Sequence, residues 1–242
     1  MSKQKYQGIT PEPGLARFLK YGIYLAVFIP LVIFSEFISP FHFGKVLVFR
    51  SLIEILAVFY LVLLIRYGKA YLPPRTPIFW AITLFTLIFG LTTLTSINVY
   101  QSFWGTLERM GGWFSFFHFW MFFVIASAIL RKKEDWFTFV WLSLAISILS
   151  AFYGFLQKTD LEWVIGSGGR NKIFGTIGNP ALFAGYMIVN AFLALMFYFQ
   201  PGNSAREKYF YGAVFLIDTF AVLLTGVRGS VLGAVIGLVV FG

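Results

Sequence analysis

The segment WFTFVWLSLAISILSAFYGFL, Trp136 to Leu156, runs for 21 positions without a charge. A helix crossing a hydrocarbon core of about 30 Å needs about 20 predominantly apolar residues. In this segment apolar side chains surround the whole circumference, whereas a surface helix of a soluble domain would keep one polar face. The segment therefore reads as a bilayer span. Six more runs read the same way: Tyr21 to Ile38, Val46 to Ile65, Ile78 to Ile97, Trp113 to Leu130, Ala181 to Phe199 and Tyr209 to Thr225. Breaker-rich separators such as Ser39-Pro40, Pro73-Pro74, Gly111-Gly112, Gly166 to Gly169 and Pro201-Gly202 lie between them. The expected fold is all-α and polytopic, with seven full transmembrane helices.

An eighth apolar run opens at Ser230 and stops at Gly242. At about 1.5 Å per residue it covers roughly 20 Å, less than a full crossing. It reads as a truncated eighth helix, the chain being the N-terminal part of a longer protein. The domain reading follows: 1–20 as a cytoplasmic N-terminal segment, and 21–242 as a transmembrane domain incomplete at its C-terminus.

Composition agrees. Of 242 residues 59% are hydrophobic, 21% aromatic and only 12% charged, which excludes a disordered chain and leaves no soluble fold to consider. The net charge of +9 reads first as membrane topology and not as a nucleic-acid footprint. With no cysteine and two histidines, sulfur-based zinc sites and disulfides are excluded, and neither a metal nor a cofactor is expected.

Twelve of the 19 Lys and Arg fall on one side of the predicted spans: Lys3, Lys5, Arg17, Lys20, Arg66, Lys69, Arg75, Arg131, Lys132, Lys133, Arg206 and Lys208. The other side carries Lys45, Arg109, Lys158, Arg170, Lys172 and Arg228, and Arg50 lies within the second span. The positive-inside rule then puts the N-terminus in the cytoplasm. The loops left outside are Pro40 to Lys45, Asn98 to Gly112, Gln157 to Asn179 and Gly226 to Gly229.

Those outer loops hold the chemically distinctive residues. In Thr225-Gly226-Val227-Arg228-Gly229-Ser230 an arginine sits between glycines at a helix start, where a guanidinium fork and free backbone N–H groups together suit an anion. The loop around Arg170 and Lys172 leads through Phe174-Gly175-Thr-Ile-Gly-Asn179-Pro180, with Asn179 reading as an N-cap and Pro180 as the first helical residue. The string from Ser102 to Phe114 packs aromatics, Glu108, Arg109 and a glycine pair into one loop. Spacing alone also allows plainer readings: a snorkelling Arg228, a solvated loop before a capped helix, and an interfacial aromatic belt. Within the spans, Arg50 and Glu54 stand i, i+4 on one helix face and read as an intrahelical ion pair, while Asp218 has no local partner and must face protein.

Taken together, Ser102-Phe-Trp-Gly-x-x-Glu108-Arg109-Met-Gly-Gly, Phe174-Gly-Thr-Ile-Gly-Asn-Pro180 and Leu224-Thr-Gly-Val-Arg228-Gly-Ser resemble the O-antigen ligase and O-antigen polymerase-like family, from about Phe41 onward. The resemblance implies a GT-C-like membrane glycosyltransferase. Such an enzyme moves a glycan from an undecaprenyl-pyrophosphate carrier to a glycan, lipid or protein acceptor on the extracytoplasmic face of a bacterial cytoplasmic membrane. It further implies that Arg228 holds the donor pyrophosphate, with Arg170, Lys172 and Arg109 as further candidates. Thr225, Gly226, Gly229, Gly175, Asn179, Pro180 and Glu108 would support them. Val227 and Ala181 depart from the family pattern. The histidine base of such enzymes lies on a large outer loop near later spans; neither His42 nor His118 matches it, so no catalytic residue is assigned. A transporter or flippase, supported by Arg50, Glu54 and Asp218, and a non-catalytic polyprenyl-phosphate-binding module are the competing readings.

Overall fold

The computed structural model describes residues 13–37, 39–168 and 172–241. Arg170, Lys3 and Lys5 lie outside the described residues. The described residues form nine α-helices and no strand: α1 (Gly14–Ala26), α2 (Phe43–Tyr67), α3 (Pro77–Leu94), α4 (Val99–Trp104), α5 (Trp113–Ile129), α6 (Lys133–Leu156), α7 (Pro180–Tyr198), α8 (Ala205–Leu224) and α9 (Arg228–Phe241). Five helical segments are long and apolar enough to cross a bilayer: Gly14–Leu31, Phe43–Tyr71, Pro77–Leu94, Lys133–Leu156 and Pro180–Tyr198.

That is fewer than the seven expected. Of those seven, α5 has only 17 residues and α8 carries Arg206, Glu207, Lys208 and Asp218 within its span, while α9, the truncated eighth, has 14. The first helix is also displaced from its expected range. It begins at Gly14, directly after Pro13, and its α-helical part ends at Ala26, giving way to a 3-10 turn at Ile29–Leu31 that contains Pro30. Proline lacks the N–H that would continue the ladder and restricts the residue before it. Arg17 and Lys20 of the expected cytoplasmic segment therefore stand on α1 itself.

Packing follows from small residues and from the absence of any polar face. Ile23 and Leu19 of α1, Ile53, Leu56 and Leu63 of α2, and Ile125 and Ala128 of α5 form one buried cluster. Gly22 lets α1 approach α2 so closely that a Cβ there would stand 2.3 Å from Leu56 Cδ2. A second cluster joins Ala151, Phe183, Met187, Ala221 and Val222 of α6, α7 and α8, and a third joins Leu144, Ala194, Phe197 and Val214 of the same helices. Alanines 184, 191, 194 and 221 are buried where α7 lies along α8, the small-residue approach used by membrane helices. In contrast Ile78, Trp80, Leu84, Phe85, Leu87, Ile88 and Leu91 of α3 are all exposed, a surface that suits lipid and not water.

Contacts between distant loops sort them into two ends of the helix set. At one end Lys20 meets Asp135 at 3.1 Å, and Arg131 donates to the carbonyl of Leu72 while its guanidinium lies over Tyr71. Arg66 in the last turn of α2, and Lys69 and Arg75 after it, lie at that same basic end. At the other end lie the loops carrying all three distinctive strings.

Candidate functional site

The site is assembled around residues 172–180, which connect α6 to α7. Three anchors hold this stretch. Gln157, only 1% exposed at the end of α6, accepts from the backbone N–H groups of Phe174 and Gly175 at 3.0 Å each. Its amide nitrogen donates to the carbonyls of Ile165 and Gly175 at 3.1 Å each. Thr176 and Ser150 share a hydrogen bond of 2.6 Å between hydroxyls, and Lys45 of α2 donates to the Thr176 carbonyl. Finally, the N–H of Ile173 donates to the carbonyl of Leu224 at the end of α8. Buried backbone polar groups need such partners, and the loop obtains them from α2, α6 and α8 at once.

The glycines of the string have steric causes. Gly175 and Gly178 both take positive φ, and a Cβ on either would stand 2.3 Å from a ring or side-chain atom, of Phe183 and Phe41 respectively. Phe41 also meets Phe174 edge-on at 5.3 Å. Asn179 caps α7 as expected, accepting from the N–H groups of Ala181 and Leu182, with Pro180 at the first helical position.

Gly226, in the left-handed region at φ 62°, turns the chain between α8 and α9, the usual place for a C-terminal glycine. Thr225, fully buried, donates its hydroxyl to the Val222 carbonyl and accepts from the Val227 N–H. Arg228 is then the first residue of α9 and is exposed. The side chain of Lys172 lies over this turn: a Cβ on Gly226 would stand 3.3 Å from both Cγ and Cε of the lysine. Two cationic residues from separate strings are thus brought to one helix start. Gly229 has open space around it, with nothing within 4 Å.

Two hollows flank these residues. One, of about 520 Å³, is lined by Gly226 and Arg228 at its polar end and by Val231, Leu232 and Val235 down α9. The other, of about 580 Å³, is lined by Phe41, Ile165, Gly166, Lys172, Phe174 and Pro180 among others. Lys172 stands between them. A cation above an apolar strip matches an amphiphilic anion in shape and charge.

The Ser102 to Phe114 string forms a tight strap at the same end. Gly105 and Gly112 touch backbone to backbone, so a Cβ on Gly112 would stand 2.3 Å from the Phe103 carbonyl oxygen, and Met110 between them is forced to φ 47°. Glu108 and Arg109 are exposed on the strap. His42 lies within their electrostatic reach and beside Lys45. Partial burial first, then the charges of Lys45 and Arg109, push its pKa below the ordinary 6.5, with Glu108 opposing.

The polar residues within the helices part company. Arg50, only 6% exposed, does not spend its donors on Glu54: it donates to the Met110 carbonyl at 3.0 Å and to Ser115 Oγ at 2.7 Å, with its guanidinium over the Phe114 ring. The strap offered a buried carbonyl and an aromatic face, and the arginine reaches them across helices. Glu54 instead contacts His118 Nε2 at 3.1 Å. Asp218, fully buried, accepts from Ser147 at 2.8 Å. Gln157, the central anchor, carried no sequence signal beyond ending an apolar run. Among the described residues no group of three or more His, Cys, Asp or Glu could hold a metal ion. Comparison with protein-family models, curated proteins and solved structures gave no match for this chain.

Proposed function

We propose that the chain is the membrane portion of an O-antigen ligase-type glycosyltransferase with a GT-C-like fold, which takes a glycan from an undecaprenyl-pyrophosphate carrier on the extracytoplasmic side of a bacterial cytoplasmic membrane. In this reading α1, α2, α3, α5, α6, α7 and α8 all cross, α9 begins an eighth span, and the N-terminus is cytoplasmic. The observation that carries it is the placement of the Lys172 side chain over Gly226, next to Arg228 at the start of α9.

The chemistry follows from charge. When the glycan leaves its carrier, negative charge develops on the pyrophosphate, and a preorganised guanidinium with helix N–H groups stabilises that charge more than it stabilises the bound donor. Arg228 supplies the bidentate fork, Lys172 a point charge and the strip Val231, Leu232 and Val235 a seat for the first isoprenoid carbons. Arg109, on the strap at the same end with Glu108 beside it, is a further candidate for the pyrophosphate. The general base is not among these residues.

The purified chain in detergent tests this reading. Arg228→Ala is expected to weaken binding of undecaprenyl pyrophosphate by about 10- to 100-fold, the worth of one charged bidentate contact, with Arg228→Lys intermediate. Unchanged binding in Arg228→Ala overturns it. Since the chain has no cysteine, a single Ser230→Cys reports its side of the membrane; labelling only from the cytoplasm would also overturn it. The competing transport reading draws on the polar side chains inside helices, Asp218 above all, and predicts that Asp218→Asn stops flux of lipid-linked substrate in vesicles.

A further inference from the structure

Away from this site, α6, α7 and α8 enclose a set of polar side chains that no feature of the outer loops explains. Ser143 and Ser147 stand one turn apart on α6, Tyr186 and Asn190 one turn apart on α7, and Asp218 faces them from α8. Ser147, Asn190 and Asp218 are 0%, 1% and 0% exposed. Ser147 donates to Asp218 Oδ2 at 2.8 Å, and Ser143 donates to Asn190 Oδ1 at 2.7 Å. The Tyr186 hydroxyl lies close to Ser143, Asn190 and Asp218 but in good hydrogen-bond geometry with none of them, and Asp218 Oδ1 has no partner at all. Two buried polar atoms in one cluster, one on a fully enclosed carboxylate, are thus left without partners.

We propose that Asp218 Oδ1, the Tyr186 hydroxyl, Asn190 Oδ1 and the Ser143 and Ser147 hydroxyls form an internal binding site for a sodium ion. The donor set is all oxygen, which suits a hard cation. A single carboxylate fixes the charge: a monovalent ion leaves the enclosed site neutral, whereas a divalent ion would leave a net positive charge in an apolar interior, at large desolvation cost. Water could satisfy the orphaned atoms but not the charge. Hydrogen bonds of 2.7 and 2.8 Å already draw these oxygens together, so a small cation, which needs less expansion of the cluster, fits better than potassium. Three helices contribute donors, so the ion would tie α6, α7 and α8 together at a level where their packing is otherwise apolar.

The test is thermal unfolding of the purified chain in detergent, in sodium, potassium and choline chloride at equal ionic strength and fixed pH. A ligand that binds only the folded state raises the midpoint in a saturable way. Sodium is expected to do so and choline not, with Asp218→Asn abolishing the response and Tyr186→Phe, which keeps the ring, weakening it about tenfold or more. If Asp218→Asn fails to fold, Tyr186→Phe and Ser147→Ala carry the comparison. Equal midpoints in sodium and choline, or a midpoint that answers to pH alone because the carboxyl holds a proton in place of a metal, would overturn the proposal.

Discussion

The guanidinium of Arg50 reaches from α2 to the carbonyl of Met110, 60 positions later, and to the hydroxyl of Ser115 that the same carbonyl also accepts. This contact closes the strap at Met110, the one non-glycine with positive φ among the described residues. Arg50→Ala is expected to cost about 2 kcal/mol of unfolding free energy, because it removes two hydrogen bonds from a charged donor and its packing over Phe114, while Ser115 and the Met110 carbonyl keep each other as partners. Glu54→Gln should cost far less. A double-mutant cycle measured by thermal unfolding checks the pairing: strong coupling of Arg50 with Ser115 and weak coupling with Glu54 is the expected pattern, and the reverse would restore the intrahelical pair.

Gln157 uses both its acceptor and its donor atoms on the backbone of the loop. Gln157→Ala is expected to cost about 3 kcal/mol and to open residues 158–168 to proteolysis, since several buried N–H and C=O groups lose partners together. Gln157→Glu should be no better, because a carboxylate cannot donate to the carbonyls of Ile165 and Gly175. Wild-type cleavage rates in either variant would show the amide to be dispensable.

Glycines 178 and 229 should answer differently. Alanine at 178 must displace Phe41 and hold a positive φ, whereas alanine at 229 meets open space in a helix and should gain up to about 1 kcal/mol from helix propensity. If Gly229→Ala keeps or improves stability yet loses undecaprenyl-pyrophosphate binding, the glycine serves the ligand; if binding also survives, its place in the string is incidental.

His42 predicts an acid-side slope. Its folded pKa lies below the ordinary 6.5, so between those two values the unfolded chain binds more protons than the folded one, and stability falls as pH is lowered through that window. In His42→Gln the slope between neutral pH and the folded pKa should flatten. An unaltered pH profile would mean that His42 is solvated in both states.

The long elements were legible because a bilayer demands apolar residues all round a helix: α6 ends at Leu156, where the sequence reading ended it, and α7 opens at Pro180 behind the expected Asn179 cap. What escaped the reading was set by contacts between distant residues. α1 lies earlier than its apolar run implied because Pro30 breaks the helix. Spacing pairs Arg50 with its nearest acid, because it shows local neighbours and cannot show a carbonyl 60 positions away. Lys172 and Arg228 were separate candidates in sequence, and only the Ile173 to Leu224 hydrogen bond puts one above the turn that leads to the other.

Near its far end α9 rests on α7 through Gly237, where a Cβ would stand 2.5 Å from Phe192 Cζ. That contact lies about 14 Å down the helix from Arg228 at the usual rise per residue. A rigid rod held at one end transmits tilt to the other, so the bulk of residue 237 works as the fulcrum of a lever whose tip is the guanidinium. Widening the fulcrum by one methyl group would swing that tip sideways, and a change at residue 237 would be read out some three turns away at Arg228.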